Sequence, residues 1–439
     1  MLQSSSLPSS RYVIEVVTDK HMGLPDWVVE LVVPSTYQPP RGCRYKARAL
    51  HFAVSASSAR SNDWIVHLDE ETRFDCKTLD HIFAHCQAEA TAVETGPETI
   101  RKKWPSIGQG VILYNTSGIE NYLTAFADTI RVSDDFSKFA FQYRIFQLPL
   151  IGMHGSFVIA RNSLEMEFGW DWGMVGSITE DTYLAMKLAA CGVRFKWVGG
   201  NMYEQSPFSC LDFAKQRARW FSGLWLCVYT YTLPLWQRVI LGIHLVSWSA
   251  CPALTFLTWF NLLTIFPRSS VFVYTMSIVF AVPFWSYCLG FVMGVRVENL
   301  RHGRVEWILM FLCHMSLIPV YTVMETYGVL RGIFDRSTYS SFHIVQKEGQ
   351  NVARATQQAQ EVLKTGVMCD PLIHSEVRDV ITDTSCTIYV RDELVYSSLS
   401  NSPESFAEIS SESGTDFVLL LYHLDKSFTS MHSFDCRLC

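Results

Sequence analysis

Between residues 12 and 229, hydrophobic positions form short runs of strand length, separated by stretches with helical spacing. Strands are predicted at residues 12–18, 27–33, 64–68, 110–114, 156–160 and 195–198. Helices are predicted at residues 47–54, 77–86, 119–127, 180–190 and 211–224. This alternation predicts an α/β domain over residues 11–230 with a mainly parallel sheet, in which chemistry occurs beyond the carboxyl ends of the strands.

The hydrophobic pattern changes after residue 230. Residues 239–266, 270–295 and 307–324 contain no Asp, Glu, Lys or Arg. A membrane span needs about 20 predominantly apolar residues, so transmembrane helices are predicted within residues 231–345, with buried core helices as the alternative. Arg296, Arg301 and Arg304 mark the loop after the second span as cytosolic, which places the α/β domain on the cytosolic face.

The final segment, residues 346–439, has no comparable periodicity. It contains a stretch rich in serine and acidic residues near residues 398–415, a composition that does not favour a packed core. A poorly ordered tail is therefore predicted for this segment.

The composition favours some classes of protein and argues against others. Charged residues make up 18% of the chain, below the globular average of about 25%, which fits a protein with membrane segments. The net charge of −6 argues against a nucleic-acid partner, since such proteins usually carry a basic excess. The 13 scattered cysteines predict free thiols in a reducing compartment rather than a disulfide framework.

Two predicted strands end in carboxylates. Asp69 and Glu71 stand two residues apart in an extended segment, so their side chains point the same way and are able to share a divalent cation. Such a cation would neutralise a departing diphosphate. Asp19 follows the first strand, where a carboxylate accepts hydrogen bonds from a nucleotide base. Ordinary acidic turns are the alternative for both sites.

A third acidic motif begins a helix. Thr179 stands at a predicted N-cap, and Glu180 and Asp181 in the first turn favour the helix dipole, which would by itself explain them. A carboxylate at this position is also suited to take a proton from an attacking hydroxyl. Lys46 and Arg48 on an earlier helix offer positive charge to a phosphate, or form a solvated helix face.

Aromatic and basic residues suggest sugar and phosphate contacts. Gln216, Arg219 and Trp220 share one helix face, where the guanidinium suits a diphosphate and the indole suits a sugar ring. An amphipathic helix at the membrane surface is the alternative. The segment with Gly155, Trp170 and Trp172 suits an acceptor-sugar platform, although tryptophans also favour membrane interfaces.

The order of these motifs resembles the family 2 inverting glycosyltransferases, and more closely the Egghead-type β-1,4-mannosyltransferases. The resemblance covers about residues 11–345. It is carried by EVVTD, YKARAL, DWIVHLDEET, the segment at residues 152–159, FGWDWG, ITEDTYLAMK and KQRARWFSGLW. At the position of Tyr45, relatives tend to have Phe.

The resemblance implies a Rossmann-like GT-A domain that transfers mannose from GDP-mannose to the 4-hydroxyl of glucosylceramide at the bilayer of the ER or Golgi. Carried over residue by residue, the resemblance implies that Asp19 binds guanine and that Asp69 and Glu71 bind Mn²⁺ or Mg²⁺. It also implies that Asp181 is the base, supported by Glu180. Gln216, Arg219 and Trp220 would line the acceptor and diphosphate site.

Departures from the family keep other functions open. Relatives have an earlier membrane segment and a first strand, whereas this chain begins at what resembles their second strand. That difference predicts an unpaired strand edge and an incomplete donor pocket. A chitin- or cellulose-like polysaccharide synthase and a catalytically inactive membrane scaffold are the alternatives. A channel is disfavoured because the predicted spans contain no ionisable group beyond His244 and His314.

Overall fold

The computed structural model describes residues 12–69, 72–94, 104–114, 119, 121–264, 268–297, 300, 302–339 and 417–423. Glu71 and most of the predicted tail lie outside these residues, so the predictions made for them stay predictions.

A mixed sheet of eight strands forms the centre of the described α/β domain. In chain order the strands are β1 (Tyr12–Thr18), β2 (Val28–Val32), β3 (Trp64–Asp69), β4 (Arg73–Phe74), β5 (Ile107–Leu113), β6 (Val158–Arg161), β7 (Phe195–Tyr203) and β8 (Phe417–His423). Their order across the sheet is β2-β1-β8-β3-β6-β5-β7-β4. All six predicted strands are present, with boundaries that differ from the prediction by a few residues.

The predicted mainly parallel sheet is mixed, because two of its strands run in the opposite direction. β6 runs antiparallel to both β3 and β5, and β4 is antiparallel to β7, while β1 with β2, β1 with β8, β3 with β8 and β5 with β7 are parallel pairs. Hydrophobic periodicity reports which face of a strand is buried but carries no information about its direction, so the reversed strand β6 was not foreseen.

Strand β8 corrects two further expectations. It lies between β1 and β3 and is parallel to both, with Leu420 opposite Glu15 on one side and His67 on the other. The predicted unpaired edge between these strands is therefore absent, and the predicted disorder of the tail is wrong for residues 417–423. The largely apolar run Phe-Val-Leu-Leu-Leu-Tyr-His is typical of a strand in a parallel sheet whose two faces are covered by helices.

Helices cover the sheet and lead to the membrane segment. They are α1 (Tyr45–Ala56), α2 (Cys76–Glu94), α3 (Tyr122–Ala127), α4 (Thr129–Asp134), α5 (Asn162–Phe168), α6 (Glu180–Ala190), α7 (Cys210–Tyr229), α8 (Leu235–Ser249), α9 (Cys251–Leu263), α10 (Ser270–Gly294) and α11 (Gly303–Phe334). The five predicted helices correspond to α1, α2, α3, α6 and α7.

The hydrophobic pattern did not predict the helical structure that follows α3. α4 continues into π-helical turns at Asp135–Phe139 and Gln142–Phe146. A π-helical turn widens the repeat beyond 3.6 residues, so its apolar positions do not follow the helical template used to read the sequence.

Three described helices are long and apolar enough to cross a membrane: Leu235–Asn261, Ser270–Gly294 and Gly303–Phe334. The first joins α8 to most of α9, and the third is longer than the predicted 307–324. Large apolar side chains such as Ile243, Val271 and Leu312 are exposed on these helices. Such surfaces suit contact with lipid.

The membrane helices dock closely on the α/β domain. An added Cβ atom at Gly290 of α10 would lie only 1.7 Å from the carbonyl oxygen of Thr129 in α4, so only glycine permits this approach. The carbonyl belongs to helical backbone and cannot move aside as a flexible side chain would.

We expect Gly290→Ala to separate α10 from α4 and to lower the melting temperature in detergent, because overpacking typically costs about 1–3 kcal/mol. Gly242→Ala is the matched control, since its added Cβ would meet only Val228 Cγ1 at an ordinary 3.6 Å. Equal melting temperatures for the two variants, measured by fluorescence-detected thermal unfolding, would contradict this close packing.

Candidate active site

One cavity of about 790 Å³ brings most of the predicted site residues together. Its lining includes the predicted residues Lys46, Asp69, Gly155, Glu180, Asp181, Gln216, Arg219 and Trp220. These side chains come from the end of β3, the first turns of α1 and α6, the segment before β6, and α7. Asp69, Glu180 and Asp181 therefore share one cavity with the Arg-Trp helix, as the sequence predicted, whereas Asp19 does not line it.

Lys46 connects the end of β3 to the rest of the cavity. Its Nζ atom lies 2.5 Å from Oδ1 of Asp69 and donates to the carbonyl oxygen of Gly155 at 3.1 Å. Burial acts to lower the pKa of Lys46, but the negative charges of Asp69 and Glu180 outweigh it and raise the pKa. Lys46 therefore remains a cation while it is buried among carboxylates.

Glu180, which is buried, and Asp181, which is half-buried, form a pair of carboxyl groups at the start of α6. Burial raises the pKa of Glu180 to about 7, and the charge of Asp181 acts in the same direction. Burial also raises the pKa of Asp181, although the Thr182 N–H and the cations Lys46 and His154 oppose this shift. Glu180 is therefore able to hold or release a proton near neutral pH, a property that suits acid–base chemistry.

The first turn of α6 differs from the predicted capping arrangement. Thr179 occupies the N-cap position but makes no capping hydrogen bond through its side chain. Its hydroxyl instead contacts Cys227 Sγ at 3.6 Å, and the Thr182 N–H donates to Asp181 at 2.6 Å. Helix capping by Thr179 therefore does not account for the motif.

Arg219 supplies a second positive charge and is half-buried. Burial lowers its pKa, while the charges of Glu180, Asp181 and Asp69 act in the opposite direction. Arg219 thus lies in the field of the same carboxylates as Lys46. Lys46 and Arg219 therefore bring two cations among these carboxylates, and the predicted role of Arg219 at a diphosphate stays a prediction.

Trp220 lines the cavity, but its ring packs against two guanidinium groups. The guanidinium carbon of Arg131 lies 4.5 Å from the ring centroid, and that of Arg217 lies 4.8 Å from it. Trp220 therefore packs against charged groups of the protein itself. Its predicted role as a platform for a sugar ring stays a prediction.

Asp19 and Arg48 pair with each other outside the cavity. Arg48 Nη1 lies 3.4 Å from Asp19 Oδ1, and its guanidinium also donates to the carbonyl oxygens of Tyr37 and Pro34. Neither Asp19 nor Arg48 is among the residues that line the cavity. Their predicted place in a nucleotide site beside β1 stays a prediction.

The structure separates the Trp-Asp-Trp motif from the cavity lining. Trp170 is buried in the core, where its indole N–H donates to Glu165 at 3.1 Å, and Trp172 packs beside Tyr183 and Arg41. Asp171 between them accepts hydrogen bonds from the backbone N–H groups of Arg41 and Cys43. The motif therefore fixes the chain just before α1, which carries Lys46. A sugar platform of these indoles lacks support from their positions.

Gly155 lies where the two charged groups meet. A Cβ atom at this position would be 3.1 Å from both Asp181 Oδ2 and Lys46 Nζ. Glycine therefore leaves the Asp181 carboxylate and the Lys46 ammonium group unobstructed by a side chain at this position.

Sequence reasoning missed Arg131, Asp135, Glu204 and Glu325, all of which line the cavity. Glu325 lies within the third apolar helix and accepts hydrogen bonds from Arg217 Nε at 3.1 Å and Trp248 Nε1 at 2.9 Å. Charge-free windows located the spans, and Glu325 follows the last window by one residue. The charge-free windows therefore gave no indication that Glu325 lies beside the cavity.

The cavity continues between the apolar helices. Beyond Trp220 its lining includes Trp248, Leu254, Val279, Phe280 and Pro283. One space thus joins the carboxylates of the α/β domain to the interior of the helical segment.

The raised pKa of Glu180 predicts how stability depends on pH. A carboxyl whose pKa is raised by folding binds a proton that the unfolded chain has lost, so its stabilising contribution is complete below about pH 4.5 and disappears as pH rises towards about 7. We expect Glu180→Gln to flatten the fall in melting temperature over this interval. The exposed Glu167→Gln is the control, and identical pH profiles for both variants would contradict the assignment.

Comparison with known proteins agrees with this geometry. The sequence profile of the family described as glycosyl transferase family group 2 matches residues 64–293. The chain is 33% identical over 345 residues to the β-1,4-mannosyltransferase bre-3 of Caenorhabditis elegans, covering 78% of this chain and 72% of that protein. It is also 33% identical over 341 residues to the β-1,4-mannosyltransferase egh of Drosophila melanogaster, covering 77% and 71%. The chain therefore belongs to the group 2 glycosyltransferases, as a relative of the Egghead-type β-1,4-mannosyltransferases.

Proposed function

We propose that this transferase moves mannose from GDP-mannose to the 4-hydroxyl of glucosylceramide and forms a β-1,4 linkage for glycosphingolipid synthesis. The observation that carries the proposal is the single cavity that joins Asp69 and Asp181 to the apolar helices. The names of the matched relatives support the sugar and the linkage.

A lipid-linked acceptor fits the shape and chemistry of this cavity. Carboxylates and cations line its domain end, whereas Leu254, Val279 and Phe280 line the end between the helices. A sugar headgroup would reach Asp181 while its hydrocarbon chains remain among apolar side chains or lipid. A fully water-soluble acceptor would gain nothing from the apolar half of the space.

The mechanism we propose uses Asp181 as the single general base. Asp181 takes the proton of the acceptor hydroxyl as that oxygen attacks the anomeric carbon from the face opposite GDP. The bond from the anomeric carbon to the phosphate oxygen breaks, and the α-linked mannose becomes β-linked. Glu180 influences the protonation of the base, and the Arg219 guanidinium is suited to stabilise charge on the departing GDP.

A divalent cation, Mn²⁺ or Mg²⁺, is proposed at the end of β3. Asp69 would hold it together with Glu71, because carboxylate oxygens suit a hard cation. Among the described residues no three His, Cys, Asp or Glu side chains form a metal cluster, and Glu71 lies outside them. When bound, the cation would neutralise the diphosphate.

We further propose that the protein resides in the ER or Golgi membrane with its α/β domain facing the cytosol. Arg296 and Arg304, near the link between α10 and α11, support this orientation through the positive-inside rule. Cytosolic exposure would also give the donor site direct access to a soluble nucleotide sugar.

The decisive test supplies membranes containing the full chain with labelled GDP-mannose and glucosylceramide. We expect label in a lipid whose mannose is released by a β-mannosidase. Incubation with UDP-sugars in parallel distinguishes the alternatives: label in polymer from UDP-N-acetylglucosamine, with none in lipid from GDP-mannose, would support a polysaccharide synthase. No transfer and no GDP binding would support an inactive scaffold.

Asp181→Asn should abolish transfer and leave GDP binding nearly unchanged. Removal of a general base typically costs about 10²–10⁴-fold in rate, whereas the asparagine keeps the size of the side chain. Turnover in glycolipid assays and equilibrium binding of labelled GDP are the measurements. Transfer at the wild-type rate would refute the base assignment.

Asp69→Ala should weaken GDP binding specifically in the presence of Mn²⁺. The variant removes a proposed metal ligand and the partner of Lys46, so titration of Mn²⁺ should show a higher concentration for half-maximal donor binding. The exposed Asp26→Ala, which lies outside the cavity lining, serves as the control. An unchanged Mn²⁺ requirement in Asp69→Ala would count against a metal at this position.

A further inference from the structure

His154 faces the same cavity as Asp181 but has no part in the proposed mechanism. It lies directly before Gly155, the position at which an added Cβ atom would meet both the base and Lys46. The imidazole is 17% exposed, so it remains accessible from the cavity that it lines.

Asp135 fixes the orientation of this imidazole. His154 Nε2 lies 2.6 Å from Asp135 Oδ1, while Oδ2 of the same carboxylate accepts the backbone N–H of Ile112 at 2.9 Å. Asp135 is fully buried and begins the π-helical turn after α4. The ring also stacks on Phe139 with a centroid separation of 4.2 Å. Two hydrogen-bonded oxygens and a stacked ring leave the imidazole little freedom to rotate.

The second ring nitrogen remains for a ligand. Nδ1 of His154 makes no hydrogen bond with any described residue, whereas Nε2 is committed to Asp135. With the Nε2 proton directed at Asp135, the Nδ1 lone pair of a neutral ring accepts a hydroxyl proton, and a protonated ring donates from Nδ1. Either form is able to bind a sugar hydroxyl.

Charged groups on three elements act on His154: Asp135 of the π-helical turn, Arg131 of α4 and Asp181 of α6. Burial lowers the pKa of His154, but the Asp135 carboxylate outweighs this effect and raises it, with Asp181 acting in the same direction. Burial raises the pKa of Asp181, and the charge of His154 acts in the opposite direction. The two side chains therefore act on one another across the space an acceptor would enter.

We propose that His154, oriented by Asp135, binds a hydroxyl of the acceptor sugar through Nδ1 and holds the reacting hydroxyl against Asp181. The proposal rests on the proposed transfer to a sugar acceptor and adds an acceptor-binding residue to it. The buried Asp135 acts through His154 and is a positioning residue.

A purely structural role for His154 makes a different prediction. If the ring only tied Asp135 and Phe139 together, its replacement would reduce folded protein and affect donor and acceptor kinetics together. An acceptor contact at Nδ1 would change the KM for acceptor and leave GDP binding as it was.

Two near-isosteric variants separate these roles. In His154→Asn the amide occupies the position of Nδ1, whereas in His154→Gln it occupies the position of Nε2. We expect His154→Gln to raise the acceptor KM about tenfold to a hundredfold, the usual effect of losing one hydrogen bond that involves a charged group. His154→Asn should retain more acceptor affinity than His154→Gln. His302→Gln, exposed on the loop before α11, is the control.

The assay uses the full chain in detergent, with initial rates over a range of glucosylceramide concentrations and separate equilibrium binding of labelled GDP. A raised acceptor KM in His154→Gln with unchanged GDP binding and melting temperature supports the proposal. Wild-type acceptor kinetics in His154→Gln, or equal losses in both variants accompanied by weaker GDP binding, would overturn it. An inactive wild type would instead refute the proposed function, so the two failures are distinguishable.

Discussion

The arrangement of charge around Lys46 is the constraint on which the cavity depends. Burying carboxylates is unfavourable unless cations or hydrogen bonds compensate them. Lys46 binds Asp69 and the Gly155 carbonyl, and the fields of Lys46 and Arg219 act on Glu180 and Asp181. These contacts bring the end of β3, the turn before β6 and the start of α6 to one place.

Much of the surrounding structure serves to place these charges. Asp171 fixes the backbone at Arg41 and Cys43, just before the helix that carries Lys46. Arg217 is held between Asp128 of the α/β domain and Glu325 of the third apolar helix, so it connects α7 to both regions. The catalytic domain and the membrane helices are therefore joined by charge as well as by close packing.

This connection supports the proposed lipid-linked acceptor. The cavity changes from carboxylates and cations at one end to apolar side chains between the helices at the other. A ligand with a polar head and an apolar body matches both ends, whereas a uniformly polar molecule matches only one. The membership in group 2 glycosyltransferases and the composition of the cavity thus point to the same class of chemistry.

The sequence by itself determined the elements and the chemistry-bearing motifs, and only the tertiary structure decided which distant residues meet. Strand-length apolar runs located β1 and β3, and helical spacing located α6, because local patterns report burial and period. The fold then inserted β8 between β1 and β3, paired His154 with Asp135, and placed the indole of Trp170 in the core. Strand order, ion pairing and the direction of a side chain depend on contacts between residues far apart in the chain. Local periodicity carries no information about such contacts, because it is set by neighbours within a few residues.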